Sequence, residues 1–135
     1  MKLIRFKSGS RTLRGRLNPD GSASPLLGAG PDEPFFPPLP AFSEEKLPVD
    51  RLLAPILPLD ILAIGLNYKD HAAEMNKKLP EEPLVFLKPP TAVIGPEQEI
   101  RLPSWAGRIE HEAEMAVVIG QRASQVKASA AMDYV

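Results

Sequence analysis

Apolar and polar positions alternate at the start of the chain. MKLIRF sets apolar Leu3 among polar neighbours, KSGS signals a turn, RTLRGRLN reads as a return strand, and NPDG marks the next turn. This pattern predicts a small antiparallel β unit. Residues 25–48, PLLGAGPDEPFFPPLPAFSEEKLP, lose the alternation and read as an extended, packed linker peptide with an aromatic-proline patch at Phe35–Phe36. From residue 61 the apolar runs are short and bounded by turn residues. Ile61 to Leu66 predict a strand, NYKDHAAEMNKK a helix with Asn67 as N-cap and Pro80 as its stop, and PLVFLKP another strand. TAVIGPEQEIRLP predicts a strand followed by turns. EHEAEMAVVIG predicts a strand closing at Gly120, and SQVKASAAMDYV a helix capped by Ser124. The fold class expected is mixed α+β and strand-dominated. The boundary between units is placed near residue 50, giving units 1–50 and 51–135.

Composition narrows the function classes. The 135 residues are 44% hydrophobic and 24% charged, values of an ordinary globular protein. The 16 prolines exceed the usual share of about 5% and argue against long helices. With no cysteine there is no disulfide, thiolate metal site or cysteine nucleophile. The net charge of -1 offers no global attraction to nucleic acid or anionic membrane. Six Lys and Arg fall in the first sixteen residues, and they read as the solvated face of a hairpin, since no aromatic platform accompanies them. No apolar run is long enough to span a bilayer, and the N-terminus lacks a signal-like apolar core, so a cytoplasmic protein is expected.

Three places could carry chemistry. His71 and Glu74 lie three apart on the expected helix, so they share a face. A carboxylate beside an imidazole fixes its tautomer and raises its basicity, which suits activation of water. Lys88 shares a strand face with Phe86 and Leu84 and needs a partner, either a substrate carboxylate or a glutamate. Glu110, Glu112 and Glu114 fall on one strand face, with His111, Ala113, Met115 and Val117 on the other. Adjacent carboxylates repel, and two remedies are open. Either the face is wet, as an edge strand that deters aggregation, or a hard divalent cation with oxygen ligands sits there. Spacing alone does not say which pair would bind it.

AIGLNYKDHAAEM, LVFLKPPTAVIGP, HEAEMAVVIG and AAMDYV occur in this order and together resemble the fumarylacetoacetate hydrolase family over residues 56–135. The resemblance implies a β-roll catalytic domain behind a small N-terminal β domain. It implies a metal pair at Glu112 and Glu114, a water-activating dyad at His71 and Glu74 on a lid segment, and substrate contacts from Asn67, Tyr68 and Lys88. It further implies Mg²⁺ (or Mn²⁺ or Ca²⁺) as cofactor. Expected substrates are small β-dicarbonyl or enol acids: acylpyruvates, fumarylacetoacetate-like acids, oxaloacetate or hydroxy-dienedioates. A homodimer is expected at full length. The family's third ligand, an aspartate, lies beyond the AAMDYV segment, so the chain reads as the N-terminal portion of such an enzyme, incomplete and inactive alone. The competing reading is a non-catalytic remnant or interaction module whose acidic strand is merely solvated.

Overall fold

The computed structural model describes residues 1–33 and 39–135, and the patch expected at Phe35–Phe36 lies outside them. β1 (Lys2–Ser8) and β2 (Arg11–Leu17) form the hairpin that the alternation predicts, in register from Lys2↔Leu17 to Ser8↔Arg11. β3 (Ala23–Pro25) and β4 (Arg51–Leu52) complete a four-stranded sheet in the order β3-β2-β1-β4. The core-facing phase of β1 is set by Ile4 and Phe6 rather than Leu3. Phe6 is fully buried with Ile4, Ala23 and Leu47, and Leu13, Leu17 and Val49 pack against them. Burying one such aromatic contributes about 1.5–3 kcal/mol. Gly15 stands opposite Ile4, and a Cβ there would press into the Ser24 carbonyl, 3.0 Å from its carbon and 3.1 Å from Pro25 Cα. The glycine therefore lets β3 close onto β2.

The other face corrects the expectation of a solvated basic hairpin. Arg5 and Arg14 are cross-strand neighbours, an arrangement that repels unless compensated. Residues 30–33 lie over them. Arg5 donates to the Pro31 carbonyl at 2.9 Å and pairs with Asp32, while Arg14 lies 3.8 Å from the Glu33 carboxylate. Burial pulls the Arg14 guanidinium below its ordinary pKa, and Glu33 opposes that shift. At the NPDG turn the Asn18 amide donates to the Ser22 carbonyl at 2.9 Å, and Lys46 closes on Asp20 at 2.8 Å. That lysine bond, with those from Ser22, holds the Asp20 carboxyl well below the ordinary carboxylate range.

β5 (Ile61–Gly65) and β6 (Leu84–Lys88) pair antiparallel as a second sheet, from Ile61↔Lys88 to Gly65↔Leu84. Leu62, Val85 and Leu87 are exposed, as are Trp105, Met115 and Val117 further on, so this half leaves much apolar surface open. The helix between the strands, α1 (Lys69–Glu74), is shorter than expected, and its N-cap is Tyr68 rather than Asn67. Asn76 stops it in the left-handed region, with Asn76 N–H donating to Ala73 and Lys77 N–H to Ala72. That is a Schellman closure, reached before Pro80 can act.

Three other expectations are corrected. Residues 90–103 form a 3-10 turn at Pro90–Ala92 and no strand. The last segment is a 3-10 helix, Ala128–Tyr134, preceded by Lys127. Ser124 does not cap it, because Gln125 sits at φ 53, outside helical geometry. Residues 107–120 are not a strand, because among the described residues no neighbour supplies a ladder to pair with them. The architecture observed is a strand-dominated α+β chain with antiparallel sheets.

Candidate active site

The junction between β5 and α1 is bent by Leu66, whose φ of 54 is unusual for a branched apolar residue. A left-handed non-glycine conformation costs about 1–2 kcal/mol and persists only where the surroundings enforce it. The bend delivers Tyr68 and the first turn of α1 to the acidic segment. The Tyr68 hydroxyl accepts the Met115 N–H at 3.2 Å. One turn further on, His71 Nε2 lies 3.3 Å from Glu112 Oε1, and its Nδ1 lies 3.9 Å from Glu74 Oε2.

These groups border a cleft of about 630 Å³, within the range of small-molecule sites. Tyr68, His71 and Glu74 line one side and residues 108–114 the other. Residues 108–114 all border the cleft. The stretch is irregular, so period-2 reasoning does not apply to it. Arg108 and His111 are cleft residues that the sequence reading passed over, although both adjoin the acidic motif. Glu110 is engaged by Arg108, whereas Glu112 faces His71. Asn67 and Lys88 do not line the cleft, and Lys88 Nζ sits 5.7 Å from the Phe86 ring centre on the face that the two were expected to share.

The half-exposed side chains of His71 and Glu112, 40% and 54%, leave their interaction screened by solvent. The donor chemistry suits a hard divalent cation, because Glu112 and Glu114 offer oxygen ligands. In number they fall short. Among the described residues no cluster of three or more His, Asp or Glu could hold a metal. The two glutamates do not by themselves complete a coordination shell among the described residues.

The fumarylacetoacetate hydrolase C-terminal domain profile matches residues 60–135. The chain is 44% identical over 85 residues to a mitochondrial oxaloacetate tautomerase of Xenopus laevis, covering 62% of this chain and 27% of that protein. It is 45% identical over 105 residues to the homoprotocatechuate catabolism bifunctional isomerase/decarboxylase of Escherichia coli, covering 74% of this chain and 24% of that one. A solved structure of an uncharacterized Mycobacterium abscessus protein superposes with a TM-score of 0.77 at 37% identity, over 99% of this chain and 51% of that one. The chain spans at most 40% of the length of the first curated relatives it matches. No helix among the described residues is long and apolar enough to cross a membrane. A profile match over more than half its length and these identities carry one conclusion: the chain belongs to the fumarylacetoacetate hydrolase family.

Proposed function

We propose that this chain supplies part of a divalent-metal-dependent hydrolase or isomerase acting on small β-dicarbonyl or enol acids. The carrying observation is the approach of His71 Nε2 to Glu112 Oε1 at 3.3 Å, which brings an imidazole and a carboxylate together at one cleft. Glu112 and Glu114 would hold Mg²⁺ or Mn²⁺, with further ligands from outside the described cluster. When bound, the ion supplies Lewis-acid polarisation of a chelating pair of substrate oxygens.

With Glu112 engaged on the cation, Nε2 would lose its 3.3 Å carboxylate neighbour, and Glu74 opposite Nδ1 would favour the tautomer protonated there, leaving Nε2 as the acceptor. At 3.9 Å the Glu74 carboxylate must close by about 1 Å to make that hydrogen bond, and such contacts are often loose before substrate binds. Nε2 then takes a proton either from the carbon between the two carbonyls or from water. Return of the carbon-derived proton to oxygen completes a tautomerisation. Removal of a proton from water instead makes a hydroxide that adds to a carbonyl carbon, and the C–C bond breaks with protonation of the departing carbon. The tautomerase and isomerase/decarboxylase relatives favour the first outcome, and the His–Glu dyad also permits the second.

The reading is tested in a protein of the relatives' length that contains this chain. Mg²⁺- or Mn²⁺-dependent turnover of an acylpyruvate, oxaloacetate or a hydroxy-dienedioate is expected, and Glu114→Ala should abolish it. Undiminished turnover in that variant would overturn the metal assignment. No turnover of any of the three by the parent would favour a non-catalytic module.

A further inference from the structure

The family resemblance implies that Tyr68 is a substrate contact, but the structure gives its hydroxyl another partner, the main-chain N–H of Met115. Tyr68, the extended N-cap of α1, and His71 stand three apart, and Glu112 and Met115 stand three apart on the acidic segment. The contacts pair 68 with 115 and 71 with 112, so the two segments run past each other in opposite directions at a fixed register. No strand ladder holds residues 107–120 among the described residues. Whatever register that segment keeps against α1 must come from contacts of this kind.

We propose that Tyr68 is a positioning residue, whose hydroxyl latches α1 to the acidic segment so that His71 meets Glu112. Its bearing on the reaction rests on the function proposed above; the latch itself does not. A main-chain donor makes the latch independent of the side chain at 115. It also fixes the segment directly after Glu114, beside the His71–Glu112 contact. The left-handed Leu66 two residues earlier turns the chain out of β5 and toward this contact.

Amide hydrogen exchange of the chain by NMR tests the latch without any metal or substrate. The Met115 amide, on a residue that is 83% exposed, should exchange about fivefold faster in Tyr68→Phe than in the parent, with the Phe6 amide unchanged as a reference for an intact first sheet. Met115→Ala keeps the N–H and should keep the protection. A Met115 amide unprotected in the parent, equally protected in Tyr68→Phe, or exposed by Met115→Ala would each overturn the latch. In the protein of the relatives' length, Tyr68→Phe should lower kcat about tenfold or more with KM little changed, as a misplaced base would. A raised KM with kcat preserved would make Tyr68 a substrate contact and overturn the positioning role. Absence of turnover in the parent would sink the proposed function alone, and the exchange measurement would still decide the latch.

Discussion

Replacing His71 by alanine separates a chemical role from a structural one, because the structure sets very different magnitudes for the two. The imidazole is 40% exposed, and its partners Glu112 and Glu74 are 54% and 79% exposed. Ion pairs that open to solvent contribute about 0.2–1 kcal/mol, so the variant should lose no more than about 1 kcal/mol of stability. As a general base His71 would contribute about 10²–10⁴ in rate, equivalent to about 3–5 kcal/mol of barrier. Steady-state kinetics at saturating Mg²⁺, run beside thermal unfolding on a protein of the relatives' length, should show these two effects far apart. Metal affinity should change little, since the imidazole adjoins the carboxylate without being assigned as a ligand. Turnover within about threefold of the parent would refute the base assignment. A stability loss large enough to account for the lost activity would refute it too. Equal losses of metal affinity and turnover would make His71 a ligand.

Other expectations follow from single contacts. Gly15→Ala should destabilise the first sheet by about 1–3 kcal/mol in denaturant unfolding, because the new methyl meets main chain of Ser24 and Pro25 that cannot swing aside; an unchanged midpoint would mean β3 does not lie on β2 as described. The Asp20 pKa is depressed in the folded state, so its contribution to stability is present above the unfolded value of about 4 and is lost as pH falls below it. Lys46→Met should flatten the fall of stability below about pH 4, and an unaltered acid profile would remove Lys46 as the cause. Trp105 is 85% exposed and is the sole tryptophan, so its emission in this chain should be that of a solvated indole, open to acrylamide. A blue-shifted, protected emission would show a face covered that the structure leaves open.

Local patterns were legible in the sequence wherever one element answers to its own residues. The hairpin of β1 and β2 follows from alternation and two turn signals, and β5 and β6 follow from short apolar runs bounded by turn residues. Readings failed where a distant group decides the outcome. Arg5 and Arg14 looked like a solvated face because Asp32 and Glu33, which cover them, lie in a segment without periodicity. The stretch 107–120 has strand composition, yet a strand exists only with a ladder partner. At the cleft, the spacing of His71 and Glu74 could be read directly. The approach of Glu112 to His71 could not, since it joins residues forty-one apart through a bend at Leu66 that no propensity favours.

The sharpest test of the metal assignment is divalent ion binding by the chain itself, titrated with Mn²⁺ and followed by electron paramagnetic resonance in three single variants. Glu112→Gln and Glu114→Gln should each weaken binding about tenfold or more, through loss of an oxygen ligand to a hard cation. Glu110→Gln should leave it nearly unchanged, because Arg108 already engages that carboxylate. Equal sensitivity to all three changes, or to none, would contradict a site built on Glu112 and Glu114.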